Sequence, residues 1–339
     1  MRSLVVTGPR GLEWQDRPAP GLSASGDALV RPIASSACDL DRRLMVSPAP
    51  FEAPFALGHE AVGEIVDLAD DDSPLRIGQC VVVPWHISCG TCGNCRRDLP
   101  GACASVPRLA SYGTSAGGLW GGLFDELVRV PWARYALTPL PPAVDPVLAA
   151  SASDNLTDAF QAVRPTLDAQ PGAAVLVVGG TASLGLLTVL SAVALGAGSV
   201  TYLDVDESRC AKAAAAGATV TLAAEYPDRL DGAFDLVVDA SAASAGFRCA
   251  LLSTRPGGTC VIRSVYFGEP RLPYFSLYGT GITLVVGPPH ASPHVPDVLK
   301  LMDGGTLDPS PVLAGPFGYE DAVEVLLDPP PGKPVFTRP

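Results

Sequence analysis

Residues 169–203 carry no charged side chain, and this stretch restricts the fold more than any other feature of the chain. A long uncharged run is either a membrane span or a strand–helix–strand unit buried in a globular core. Glycines at 179, 180, 196 and 198 and hydroxyl residues at 181, 183 and 191 divide it into apolar pieces. Each piece is shorter than the roughly 20 residues a span requires. The buried unit is therefore expected: a Val-rich strand over 173–180, a helix over 183–196 and a second strand, SVTYLD, over 199–204. An Ala-rich helical segment (211–218) and buried strands at 234–240 and 258–266 continue the pattern. Buried strands alternating with helices specify a doubly wound parallel sheet.

The preceding half has another character. SLVVT, LEWQ, DALVRPIAS, EAVGEIVD (60–67), GQCVVVP (78–84) and LVRVP (127–131) read as short strands between Pro- and Gly-rich turns. Residues 146–163 read as helical in two pieces that meet near Ser153, opened by Asp145 as N-cap and Pro146 at the first helical position. Near the C-terminus, helices over 296–302 and 319–327 and a closing strand, PVFTR, are too little for a third domain. The 339 residues, at about 150 per domain, therefore divide in two. A β-rich domain spans 1–154, with 288–339 returning to it, and an α/β domain spans 155–287.

A net charge of −12 disfavours sequence-blind binding to nucleic acid or an anionic membrane. The apolar run near the N-terminus is too short for a secretory signal. Nine cysteines, an odd number, without an export signal point to a reducing cytoplasm. Cysteines kept there are more often metal ligands or buried small residues than disulfides.

Cys89, Cys92, Cys95 and Cys103 form C-x2-C-x2-C-x7-C. Four thiolates at such short spacing suit a tetrahedral structural zinc with no position open to substrate, the alternative being a redox thiol cluster. VLVVGGTASLG places Gly180, Ala182 and Gly185 on a G-x-G-x-x-G frame between a strand and a helix, the context that frame requires. The backbone amides of Thr181, Ser183 and Leu184 are expected to face a pyrophosphate at the helix N-terminus. Asp204 stands about 20 residues on, where an acid accepts from the adenosine ribose hydroxyls. A 2′-phosphate against that acid would cost on the order of 4 kcal/mol at an effective dielectric of about 20. This favours NAD over NADP, although Arg209 nearby could recruit a phosphate.

Cys38 in ASSACDLD and the tripeptide Gly58-His59-Glu60 are weak signals singly. Together with the cysteine knuckle they make the whole chain resemble the zinc-dependent medium-chain dehydrogenase/reductase family, alcohol dehydrogenase type. The resemblance implies a GroES-like catalytic domain beside a Rossmann domain. It implies a catalytic zinc on Cys38 and His59, with Glu60 beside the metal. The third ligand it implies is Asp154 in Ser153-Asp154-Asn155-Leu156, as in formaldehyde-dehydrogenase-like members; an N-cap role for Asp154 is the alternative. Two zincs per chain, NAD, a small-molecule substrate and a homodimer or homotetramer follow. Zinc with one open position lowers the pKa of an alcohol oxygen and so assists hydride transfer to the cofactor.

The chain departs from the family two residues after Cys38, where Leu40 replaces the hydroxyl that passes on the alcohol proton. Arg43 stands farther along that relay. This keeps open a relay-free reductase of iminium or conjugated double bonds, and a non-catalytic dinucleotide-binding protein. Trp85 occupies a position that walls the substrate pocket in the family.

Overall fold

A computed structural model describes residues 1–47 and 50–338. In chain order the first elements are β1 (Arg2–Gly8), β2 (Gly11–Asp16), β3 (Ala28–Ser36), α1 (Asp39–Val46), β4 (Phe55–Ala56), β5 (Glu60–Leu68), β6 (Cys80–Val83), β7 (Val128–Val130), α2 (Ala133–Ala136), β8 (Thr138–Pro139) and α3 (Pro146–Ala149). There follow α4 (Asn155–Ala169), β9 (Ala174–Val178), α5 (Leu184–Ala194), β10 (Ser199–Asp204), α6 (Glu207–Ala215), β11 (Thr219–Leu222), β12 (Phe234–Asp239), α7 (Ser244–Ser253), β13 (Thr254–Ile262), α8 (Tyr274–Thr280) and β14 (Thr283–Val286). The last are α9 (Val295–Asp303), β15 (Leu313–Gly318), α10 (Ala322–Leu327) and β16 (Lys333–Thr337). The chain divides into two compact units: Met1–Thr157 with Pro289–Gly305 and Leu313–Pro339, and Asp158–Pro288 with Thr306–Val312.

The first unit is built on a sheet of order β15-β16-β3-β5-β6-β8, with β7 also on β3, and a smaller sheet β2-β1-β4. Apart from the parallel pair β15–β16, the ladders of the larger sheet are antiparallel. Register decides what meets what. Ser36 lies opposite Glu60 on β5, and Val335 of β16 lies opposite Ser36 on its other side. The ends of three strands far apart in sequence therefore share one edge of the sheet. Val30, Ile65, Val81, Val83 and Leu123 fill one core cluster of this unit; Leu4, Val6, Phe55, Phe124 and Phe336 fill another. Each such side chain removed from water contributes roughly 1.5–3 kcal/mol.

The second unit is a six-stranded sheet of order β11-β10-β9-β12-β13-β14, parallel throughout. Val175 to Val178 are wholly buried, which explains a continuous rather than alternating apolar run. α5 is apolar on every side because Leu184 to Val189 are all buried.

The strand expected over 258–266 begins earlier and stops at Ile262. The helical stretch after Pro146 is interrupted by a 3-10 turn, Ala150–Ser153. Likewise Tyr319–Asp321 is a 3-10 turn ahead of α10. Among the described residues no helix is long and apolar enough to cross a membrane.

Candidate active site and metal centres

The thiol, imidazole and carboxylate of Cys38, His59 and Asp154 are brought together from three separate segments. All three residues are buried, and one ligand atom from each lies within 4.8 Å of the others. Cys38 is the N-cap of α1, where its backbone N–H donates to Asp41 Oδ2 at 2.9 Å in a capping box. The other oxygen of Asp41 lies 3.3 Å from His59 Nδ1. This turns His59 Nε2 toward Asp154 Oδ2, 3.5 Å away. A carboxylate on the far nitrogen fixes both ring orientation and tautomer in metal-bound histidines. Asp154 is delivered by the 3-10 turn. The Ser153 hydroxyl clamps that turn to β5, accepting from Ala61 N at 2.8 Å and donating to Ala61 O at 3.0 Å. The backbone of Trp85 donates to Ser153 O at 3.3 Å.

Beneath this cluster lies a second layer of charge. Lys333 and Glu60 are both wholly buried and pair at 2.6 Å. Lys333 Nζ also donates to Ala37 O at 2.9 Å and Asn155 Oδ1 at 2.8 Å. Glu60 accepts from Ser36 Oγ and from the Asn155 backbone N–H at 2.9 Å. Burial alone would lower the Lys333 pKa, but the Glu60 carboxylate outweighs it and holds the ammonium above its ordinary range.

The residues fit zinc. Buried sulfur, nitrogen and oxygen donors of this kind are a zinc set. Burial, followed by the Asp154 carboxylate, pushes the Cys38 thiol up to about 12, so without a metal it keeps its proton near neutral pH. Burial works to lower His59, yet Asp41, Cys38 and Asp154 together hold it well above its usual value. The cluster thus favours a positive charge at its centre.

The knuckle is a separate cluster of the same unit. Cys89, Cys92, Cys95 and Cys103 place their sulfurs within 4.8 Å of one another, and none is in a disulfide. Backbone N–H groups of Cys89, Thr91, Cys92, Ala104 and Ser105 donate to these sulfurs at 3.3–3.4 Å. The Ser105 hydroxyl reaches Cys89 Sγ at 3.2 Å. Burial would raise the Cys89 pKa, but the donors of Ser105, Thr91 and Cys92 bring it down to about 5. Gly90 has φ +71°, and a Cβ there would lie 2.4 Å from the Tyr135 side chain, so the loop passes only with glycine.

In the second unit the turn after β9 is closed by two glycines. A Cβ on Gly180 would lie 2.4 Å from Ser241 O; one on Gly179 would lie 2.2 Å from Tyr202 Oη. Both glycines let the turn pass close to the chain's own neighbouring segments, and the buried Thr181 Oγ1 beside them has no hydrogen-bond partner. The expectation for the Thr181 amide is corrected: it donates to Ala240 O at 3.0 Å, because the turn folds back on β12. Ala182, Ser183 and Leu184 lead into α5, and Gly185 lies in its first turn. Asp204 ends β10, fully buried, and is crowded with donors. It accepts from Val205 N and Tyr202 Oη at 2.6 Å, from Asp206 N at 3.1 Å, and from Arg209 Nε and Nη2 at 2.8 Å each. Burial would raise its pKa; Arg209 and Tyr202 more than reverse this and lower it.

Asp41, Ser153, Asn155, Lys333 and Gly179 were assigned no role in a site from sequence. Asp41 had a signal, since an acid three residues after Cys38 is a capping-box pattern. Lys333 and Asn155 had none, being ordinary residue types joined only by the fold.

Comparison with known proteins places the whole chain. The family model for the alcohol dehydrogenase GroES-like domain matches residues 24–142, and that for zinc-binding dehydrogenases matches residues 183–302. A Mycobacterium tuberculosis protein named as a probable zinc-binding alcohol dehydrogenase is 30% identical over 330 residues, covering 96% of this chain and 84% of that protein. A glutathione-independent formaldehyde dehydrogenase of Pseudomonas aeruginosa is 29% identical over 224 residues, 62% of this chain and 56% of the relative. The structure of an alcohol dehydrogenase from Thermus sp. ATN1 superposes with a TM-score of 0.88 at 30% identity, covering 99% of both chains.

Proposed function

Because the chain belongs to the zinc-dependent medium-chain dehydrogenase/reductase family, alcohol dehydrogenase type, we propose that it transfers hydride between a small alcohol or carbonyl substrate and NAD(H) at a zinc held by Cys38, His59 and Asp154. It is a zinc-dependent oxidoreductase that uses a nicotinamide cofactor. One observation carries the site: three buried ligand atoms from three segments converge within 4.8 Å, and a zinc held by three protein ligands would keep one position for substrate.

When bound, zinc supplies Lewis-acid polarisation of the substrate oxygen. The protein's own residues do the rest. Asp41 orients His59, Ser153 fixes the turn that presents Asp154, and Glu60 is balanced by Lys333. Trp85 serves as a wall of the substrate pocket. Leu40 packs against the apolar core cluster of its unit and carries no proton. Cys89, Cys92, Cys95 and Cys103 hold a second, structural zinc, giving two per chain. The catalytic domain, 1–154 with 288–339 by sequence, corresponds to the first unit, and the NAD-binding domain, 155–287, to the second, which also takes Thr306–Val312.

The test is zinc per chain in freshly purified protein. Two in the wild type falling to one in Asp154→Ala supports the site; one in the wild type overturns it.

For the cofactor, Asp204 supports NAD. Arg209 favours a second reading, since it neutralises that acid and could meet a 2′-phosphate. Affinities for both cofactors separate the two. If NAD is the cofactor, Arg209→Ala leaves NAD binding intact or stronger. If NADP is, its binding falls about tenfold or more, the weight of a charge-assisted contact.

A cytoplasmic homo-oligomer completes the proposal. β14 is the sheet's edge and all four of its residues are exposed, as are Tyr274, Phe275 and Tyr278 of α8. An apolar edge of this kind invites pairing with a second copy. Light scattering on the wild type and Val286→Lys checks it, with a monomeric wild type the contrary result.

A further inference from the structure

We propose that Asn155 is a positioning residue that tunes the Cys38 thiolate as a metal ligand, linking it to the Lys333–Glu60 pair through one side-chain amide. The inference rests on the zinc site proposed above and adds to it a residue that touches neither metal nor substrate.

The amide's orientation follows from its partners. Lys333 Nζ has three donors and no acceptor. It directs them at Glu60, Ala37 O and the Asn155 side chain. The atom of Asn155 facing it must therefore be the oxygen, 2.8 Å away. The NH2 group is then committed to the other side, where it donates to Cys38 Sγ at 3.1 Å and to Asp154 Oδ2 at 2.8 Å. Asn155 is 4% exposed, so water does not compete for these bonds. The ammonium pulls electron density through the amide oxygen and strengthens its N–H donors, as linked hydrogen bonds polarise one another. Two of the three zinc ligands receive that donation.

An N–H bond to a thiolate stabilises the sulfur lone pairs. It lowers the electron donation of Cys38 and leaves a more electrophilic metal, while holding sulfur and carboxylate at a fixed separation. A purely structural Asn155 would hold the fold without changing the electronic state of the sulfur.

The test replaces zinc by cobalt in the whole protein and reads the thiolate-to-cobalt charge-transfer absorption. Cys38→Ser retains the knuckle, so the wild type minus Cys38→Ser difference isolates the Cys38 band. Asn155→Leu, close in shape but with no polar atom, is expected to move that band to lower energy. It should also weaken zinc, measured against a competing chelator, by about 10- to 100-fold, the usual cost of losing an outer-shell partner. Asn155→Asp retains an acceptor for Lys333 and lacks the N–H donors, and is expected to shift the band the same way. It serves if the leucine variant fails to fold. A band unmoved in the folded variants, with zinc affinity within twofold, overturns the inference while leaving the zinc site standing. A blank wild-type difference spectrum overturns both.

Discussion

In the 89–105 loop, sulfur is met by backbone N–H groups and a serine hydroxyl, all supplied within the loop itself. At Cys38 the sulfur faces a carboxylate as well as an amide, and its companions come from positions as distant as 59, 154 and 155. The knuckle is thus locally complete: its sulfurs and the groups that donate to them come from one chain segment. The dispersed cluster is brought together by tertiary structure from three separate segments. A closed, donor-rich site suits permanent occupancy, whereas a buried set with an open position suits a metal that must act on a substrate.

The largest effects should separate the two clusters by readout. Cys38→Ser is expected to lower kcat/KM by about 1,000-fold or more, since Lewis-acid assistance is worth several kcal/mol, while the melting temperature stays near that of the wild type. Cys103→Ser should do the reverse first, lowering the melting temperature because structural zinc contributes folding energy. A Cys103→Ser protein that melts like the wild type would break the contrast.

Lys333→Met tests how far the dispersed cluster depends on buried charge. Removing one partner of a buried pair costs roughly 3–5 kcal/mol, read by urea unfolding. The double variant with Glu60→Gln should recover most of that loss. No recovery would mean that Lys333 matters for packing and not for Glu60.

In metal-free protein the thiols should differ in reactivity with pH. Lowered to about 5, Cys89 remains a thiolate at neutral pH and loses reactivity only as the pH falls through about 5. Raised to about 12, Cys38 gains thiolate only far above neutrality. Both thiols are buried, so thiolate fraction decides, and alkylation at pH 7 followed by peptide mapping should label Cys89 about 100-fold faster. The smallest change is Ser105→Ala, which deletes one hydroxyl donor to Cys89. It should cost about 1 kcal/mol, about fivefold in knuckle zinc affinity, without altering turnover.

The same contrast explains what could be read from sequence. The knuckle is contiguous, so its spacing alone suggested a metal, and the run before Gly180 announced a buried parallel strand. Cys38, His59 and Asp154 have no spacing of their own and came together on paper only through family resemblance. Asn155 and Lys333 lay beyond even that, since their partners are set by strand register: β16 lies against β3, and β3 against β5. The helix over Asp39–Val46 also escaped notice, because a segment with acids and arginines at half its positions lacks a plain apolar stripe. The Thr181 amide was misassigned for a related reason. Whether a glycine-turn N–H faces a ligand or a neighbouring strand depends on β12, which is remote in sequence.

The Lys333–Ala37 contact joins residues 296 positions apart. During synthesis, then, Glu60 leaves the ribosome long before the cation that balances it. Until β16 is made, a nascent chain that closed its first sheet would have to bury a bare carboxylate or hold it protonated, and either is costly. The buried carboxylate beside Cys38 and His59 therefore gains its counter-charge only once β16, far along the chain, has joined β3.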